Sequence, residues 1–346
     1  MASTPCSTTS RDDRWPDYDL RRSRLGQQGM TRRALLAAAL GSPMLASPAL
    51  AQEARSMRWV VPWPPGGSTD VIARLVAAHV GPVLGQAVVI ESRSGAGGVL
   101  GSDVVAKAAP DGLTALVSDG ALATAPSLHR SLPFNPAQDL RAVSLAVTLQ
   151  HVVVVNPSFP TTTLAGLIAE AKRHDLDFGS GGIGSPLHLA GELFRLAAGI
   201  GWTHVPYRGA APAVMALLAN EVQVVLPSLP AVVAHIREGR LRGLAVTGPN
   251  RSLLLPEVPT VAEAGLPAAQ MVGWVGLHMP AATPGATVDR LAAAVREALG
   301  VPSLRAHLAE QGADIALRGP TDYADFIATE TRKWSGVIRA AGIEPE

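Results

Sequence analysis

The sequence predicts an α/β protein of two lobes, each a mostly parallel sheet flanked by helices, joined by a hinge of crossing strands. Three observations carry this. Short β-branched runs alternate with stretches whose apolar residues recur at helical spacing, the pattern of a parallel sheet covered on both faces. The alternation comes in two series, one ending near Val155 and the next opening at Thr161, with no long linker between them. The chain is also long enough for about two domains: its 346 residues are 47% hydrophobic and 16% charged, which is enough apolar material to bury a substantial core.

In chain order, residues 1–51 are set aside as a leader to be removed. Met1 to Gly29 are polar and rich in Arg and Asp without apolar periodicity. Met30 then opens Thr31-Arg32-Arg33-Ala34-Leu35-Leu36, an apolar run follows, and Ala49-Leu50-Ala51 ends it. A basic head, a short apolar middle and a small-x-small site make a cleaved secretory signal. Gly41 and Pro43 interrupt the middle, which is too short to cross a bilayer. The arginine pair suits a twin-arginine or a general secretory route, and Met30 is an alternative start. Either route leads to the periplasm.

Removing 51 residues, seven of them Arg and four Asp, leaves 22 basic against 24 acidic, a balance of −2. Nucleic acid and anionic membrane surfaces are therefore not expected partners. The single Cys6 leaves with the leader, so the mature chain is expected to have no disulfide and no thiol nucleophile.

The first series reads strand Arg58 to Trp63, helix through Ile72, Leu75, Val76 and Val80, strand Ala87 to Glu91, a glycine loop, and helix Leu100 to Ala108. Leu113 to Val117, Ala142 to Ala146 and Val152 to Val155 read as further strands. After the Thr161-Thr162-Thr163 cap come helix Leu164 to Lys172, strand Asp177 to Ser180, helix Leu187 to Ala197 and strand Trp202 to Val205. Helix Ala211 to Ala219, strand Val222 to Leu226, helix Ala231 to Glu238 and strand Arg242 to Thr247 complete that series. The chain returns as strand Gly273 to Met279, then helices Val288 to Leu299, Ser303 to Gln311 and Thr321 to Ala341. The expected division is 56–155 plus 275–346 for one lobe and 156–274 for the other, with strands crossing near Val155 and Trp274.

Four loops follow strands and precede helices: Pro64 to Asp70, Gly95 to Gly98, Gly181 to Ser185 and Tyr207 to Ala211. Strand-end loops of an α/β sheet converge on a crevice, and a helix start offers free N–H groups and positive potential to an anion. A carboxylate suits them, since each oxygen accepts two hydrogen bonds without needing a paired cation. The candidate contacts are Gly66, Gly67, Ser68, Thr69, Asp70, Gly97, Ser118, Gly184, Ser185, His188, Tyr207, Arg208 and Gly209. Ser68 or Thr69 is expected to cap its helix, and a Cβ at Gly67 to strain the turn and block a ligand. The bland alternative is that glycines only turn and hydroxyls only cap. His188 either donates to a ligand or braces its loop; Arg208 either meets the ligand or solvent. Asp70 either binds an amino group or holds its own loop. Tyr207 either lines the pocket or wedges the lobe.

Five segments also carry a resemblance. Val61-Pro62-Trp63-Pro64-Pro65-Gly66-Gly67-Ser68-Thr69-Asp70, Ala106-Lys107-Ala108-Ala109-Pro110-Asp111-Gly112, Ser185-Pro186-Leu187-His188-Leu189-Ala190-Gly191-Glu192, Val205-Pro206-Tyr207-Arg208-Gly209 and Pro259-Thr260-Val261-Ala262-Glu263-Ala264-Gly265 stand in that order. Together, across 57–343, they resemble the Bug-type solute receptors of tripartite tricarboxylate transporters. The resemblance implies a two-lobed, type II-like periplasmic binding protein fold. It also implies a receptor that closes on a small carboxylate, organic acid or amino acid, and presents it to membrane transporter subunits, with no catalysis and no cofactor or metal. The expected state is a monomer. Many members carry an Asp where this chain has Pro227, in Val224-Val225-Leu226-Pro227-Ser228, so ligand preference does not carry over.

An enzyme reading has one foothold. Gly179-Ser180-Gly181-Gly182-Ile183-Gly184 fits G-x-G-x-x-G between a strand and a helix, but no acid stands at the end of the next strand to hold a ribose. There is no G-x-S-x-G, no phosphate-binding Lys-Ser/Thr loop and no H-E-x-x-H. A ligand-loaded sensor that docks on a signalling receptor would share every binding feature, so transport and sensing stay open.

Overall fold

A computed structural model of the protein describes residues 56–345, so the leader, Cys6 and the alternative start lie outside the described residues. The first series is β1 (Met57–Val61), α1 (Ser68–Leu84), β2 (Val88–Ser92), α2 (Val99–Ala106), β3 (Thr114–Asp119), α3 (Gly120–Leu128), α4 (Pro136–Asp139) and β4 (Leu140–Gln150). The second is β5 (Val152–Val155), α5 (Leu164–Ala171), β6 (Asp177–Ser180), α6 (Pro186–Ala198), β7 (Thr203–Pro206), α7 (Ala210–Leu218), β8 (Val224–Val225), α8 (Val233–Arg237) and β9 (Arg242–Val246). The chain returns through β10 (Val272–Pro280), α9 (Gly285–Gly300), α10 (Pro302–Glu310), β11 (Ala313–Arg318) and α11 (Pro320–Ala340).

Two sheets result, a six-stranded one in the order β11-β4-β10-β3-β1-β2 and a five-stranded one in the order β7-β6-β8-β5-β9. Within the first, β1, β2, β3 and β4 share a direction while β10 and β11 run against it. Within the second, only β5 opposes its neighbours. The reversed central strands, β10 and β5, are those that arrive from the other sheet.

Side-chain alternation sorts the core. Trp59 and Val61 face α1, α9 and α10, while Val60 and Leu116 face the cluster of Leu122, Trp274 and Tyr323. In β5, Val153 and Val155 pack with Phe178, Leu167 and Phe194, and Val152 and Val154 pack with Leu217 and Leu229. A strand buried on both faces reads as an unbroken apolar run, which is why Val152–Val155 carries no polar residue.

Four features depart from the sequence reading. β5 pairs with β8 and β9, so Val152–Val155 belongs to the second sheet and the chain crosses at His151 instead of after Val155. Trp274, in turn, sits inside β10 opposite Thr148, and the return crossing comes just before it, where Met271 N–H donates to Thr247 C=O at 2.9 Å. The C-terminal helix serves both halves: Tyr323 packs in the first core and Trp334 and Ile338 in the second. Elements α3, α4 and β11 are absent from that reading, because Pro126 masks the helical run of α3, α4 is only four residues long, and β11 is an edge strand whose apolar residues are interrupted by Asp314.

Candidate functional site

The loops β1–α1, β3–α3, β6–α6 and β7–α7 surround, with the strand crossings, a cavity of about 770 Å³. Each loop ends in a helix N-terminus, but the four are finished differently.

In β1–α1, Gly66 takes φ +87°, a conformation that glycine adopts without penalty. Its N–H donates to Asp70 Oδ2 at 3.0 Å, and both oxygens of Asp70 are held by Arg74 at 2.9 Å. Burial alone would raise the Asp70 pKa, but the Arg74 hydrogen bonds, the Gly66 N–H and the Arg74 charge outweigh it and hold the carboxyl below its usual value. Asp70 therefore ties its own loop. The N-cap of α1 is Gly67, and no side chain caps it; Thr69 Oγ1 instead donates to Asp119 Oδ2 at 3.0 Å. The expectation of a Ser68 or Thr69 cap fails because the hydroxyl of Thr69 is taken across to β3.

At β3–α3, Asp119 caps α3 by accepting from Ala121 N–H at 3.0 Å and also accepts from Thr69 and Trp63 Nε1. Burial pushes this carboxyl up in spite of its three donors. At β6–α6, Ser185 Oγ accepts from His188 N–H at 3.3 Å, and His188 Nδ1 accepts from Gly184 N–H at 3.0 Å. The His188 ring stacks on His204 with centroids 4.0 Å apart, and burial pushes both histidines down to about 4. At β7–α7, Gly209 is the N-cap at φ +119° with no side-chain cap, and α7 starts at Ala210. The N-termini of α1 and α7, one from each sheet, thus reach the same cavity without a side-chain cap.

Of the residues expected from the sequence, Gly66, Gly67, Ser68, Thr69, Gly184, Ser185, Arg208 and Gly209 line the cavity. Arg208 is exposed and is the one Lys or Arg in the wall among the described residues. The others lie elsewhere. Asp70 and His188 stand one layer back, bracing the loops. Gly97 lines a smaller cavity of about 250 Å³ with Trp63, Leu128 and His129. Tyr207 packs against the second core beside Val225. Ser118 is 1% exposed, its Oγ 2.7 Å from His278 Nδ1 and 2.9 Å from Tyr323 OH, inside the first core. In the G-x-G-x-x-G run, Gly181 lets β6–α6 abut the other loop, since a Cβ there would lie 3.3 Å from the Gly209 carbonyl carbon.

Sequence reasoning missed Trp63, Asp119, His151 and Trp274 in the wall. The available signals were an acid between a strand and Gly120, and a polar pair, Gln150-His151, ahead of four valines.

Residues 72–343 match the family model described as tripartite tricarboxylate transporter family receptor. The chain belongs to that family. BugT of Bordetella pertussis strain Tohama I is 40% identical over 293 residues, covering 84% of this chain and 90% of BugT. The R. palustris Rpa4515 structure with adipate is 34% identical with a TM-score of 0.78, over 84% of this chain and 99% of that one. MatC of Rhodopseudomonas palustris with bound malate is 33% identical with a TM-score of 0.74, over 82% and 99%. The structure of periplasmic binding protein BugD is 30% identical with a TM-score of 0.76, over 84% and 99%. The two sheets and their helices accordingly form the two-lobed periplasmic binding protein fold of these family receptors.

Proposed function

We propose that the protein is a periplasmic receptor that captures one small carboxylate between its lobes, unchanged, and delivers it to a membrane transporter. The observation that carries this reading is the pair of helix N-termini without side-chain caps, α1 from one sheet and α7 from the other, opening on one cavity. A carboxylate placed there accepts backbone N–H bonds from both sheets and is favoured by both helix dipoles. Arg208 in the wall adds positive charge, and Asp119, whose oxygens are already engaged, leaves the N–H groups for the guest. A ligand that bridges the lobes binds the closed form better than the open one, so it shifts the hinge equilibrium by that difference. The bound solutes of the Rpa4515 and MatC structures, adipate and malate, support the carboxylate class.

The test is calorimetry on protein expressed with its own leader and recovered from the periplasm, titrated with a panel of organic and amino acids. A 1:1 isotherm with at least one of them, and recovery of the acid unchanged after long incubation, is expected. No heat from any acid, or conversion to a product, overturns the receptor reading.

A further inference from the structure

Asp119 ends β3 in the cavity wall, where it is 9% exposed and is the N-cap of α3. A carboxylate has about four lone-pair positions. Three have donors here: Oδ2 accepts from Trp63 Nε1 and from Thr69 Oγ1 at 3.0 Å, and Oδ1 accepts from Ala121 N–H at 3.0 Å. One position on Oδ1 has no donor among the described residues.

None of the three donors is charged, and Asp119 takes part in no ion pair among the described residues. The groups packed around it supply no cation either. In the β1–α1 loop, Asp70 holds Arg74 to itself. In β10, Val275 pairs with Asp119, and His278 is turned to Ser118. Tyr323 of α11 is a phenol kept protonated by burial and by the Asp119 charge. Elsewhere on the cavity wall stand His151, His235 and Arg208, and the smaller cavity beyond Trp63 and Ala121 adds His129 and Glu344. Burial and the three donors act on the Asp119 carboxyl in opposite directions, and burial is the larger influence.

Thr69 is the second residue of α1, so a carboxylate seated on that helix N-terminus stands one side chain away from Asp119. Two carboxylates that share a site shielded from water do not both stay ionised; one of them takes a proton. Asp119 is placed to be that one, with a lone pair to hold the proton and no cation to hold its charge.

We propose that Asp119 is a ligand-binding residue that takes one proton from solvent as the solute carboxylate enters and donates it to that carboxylate in an O–H···O hydrogen bond. The inference rests on the carboxylate-receptor reading above and adds to it a proton for each solute bound. The proton goes onto Oδ1, the solute stays ionised, and the cavity gains no net charge. A hydrogen bond from a carboxyl to a charged oxygen is of the short, strong kind.

The experiment is calorimetry in PIPES and in Tris at pH 7, with succinate, glutarate, adipate and whichever amine-free acid of the panel above binds most tightly. These acids are already ionised at that pH, so the difference in heat between the two buffers counts protons taken up by the protein. Wild type is expected to take up at least half a proton per solute, and to bind more weakly as pH rises from 6 to 8, by up to about tenfold per unit. Asp119→Asn is expected to take up none and to bind equally well across that range. At pH 8 it is expected to bind at least as tightly as wild type, because a negative charge has left the wall. If Asp119→Asn does not fold, infrared difference spectra of wild type with acid isotope-labelled at its carboxyl are expected to gain an unlabelled protonated-carboxyl band on binding. Less uptake than this by wild type, or uptake that persists in Asp119→Asn and so belongs to a histidine, overturns the inference and leaves the receptor reading standing. So does a loss of affinity at every pH in the variant, as a mere helix cap would give, or the absence of that band. Binding of no acid overturns both.

Discussion

At the scale of single residues, the two adjacent glycines of the first loop are not equivalent. Gly66 occupies the left-handed region at φ +87°, whereas Gly67 has φ −72° and a Cβ there would meet nothing closer than Pro64 O at 3.8 Å. Gly66→Ala is therefore expected to lower stability by about 1–2 kcal/mol, the penalty of a Cβ in that region. Gly67→Ala is expected to stay within about 0.5 kcal/mol of wild type and yet weaken carboxylate binding, because only the guest meets the new methyl. Urea melts and binding isotherms on the two variants check both halves; a Gly67→Ala protein with full affinity means that no ligand approaches this turn. The sequence reading assigned the strain to Gly67. Gly-Gly announces a tight turn but not which glycine carries the positive φ, since that depends on where Asp70 collects its backbone donor. The same limit hid Asp119: a carboxylate that ties Trp63, Thr69 and Ala121 together has no periodicity to betray it.

At the scale of elements, helices α1 and α6 separate two uses of serine. Ser185 is the N-cap of α6 and accepts from His188 N–H, whereas Ser68 is the first residue of α1 and makes no cap. Ser185→Ala is expected to cost about 1 kcal/mol of stability. Ser68→Ala is expected to leave the melting midpoint unchanged and to reduce carboxylate affinity about tenfold, the loss of one hydrogen bond to a charged group. A drop in melting temperature for Ser68→Ala with unaltered affinity would assign it to the helix instead. Most elements were legible because valine-rich runs and helical periodicity are local properties. The partner of Val152–Val155 was not, for a strand apolar on both faces fits either sheet equally well. Only the pairing with Val224 and Arg242 decides it.

At the scale of the whole molecule, the buried histidines set the response to acid. Burial holds His151, His188 and His204 at about 4 and His278 at about 3, below the ordinary 6.5. The unfolded chain thus takes up protons first as pH falls, and stability is lost from about pH 6.5 down toward these values. His151 and His278, both enclosed in the protein, each add to that loss in the same direction. Asp119 works in the opposite sense, since its raised pKa lets the folded state bind a proton sooner. Denaturant midpoints are expected to fall between pH 7 and pH 5, and a level or rising midpoint would mean that the rings are charged in place. The C-terminal helix makes a separate prediction. Trp334 is buried in the second core, and its Nε1 donates to Glu330 Oε2 at 2.9 Å. Trp334→Ala is expected to cost about 3–5 kcal/mol, as removal of a large core aromatic does. Urea unfolding measures it, and a loss under 1 kcal/mol would show that the helix end is not anchored.

That anchoring bears on how the molecule moves. Two bodies joined only by strands at His151 and Met271 could rotate about the line through those joints with little resistance. Helix α11 begins among the side chains of one body and ends among those of the other, through Tyr323 at one end and Trp334 and Ile338 at the other. It acts as a stay on a door: the swing must bend this rod or slide its apolar grip, and either response grows with angle. In the proposed receptor the travel is then bounded by elasticity instead of by collision, and the strength of the stay, set far from the carboxylate site, tunes how much binding energy remains after closure.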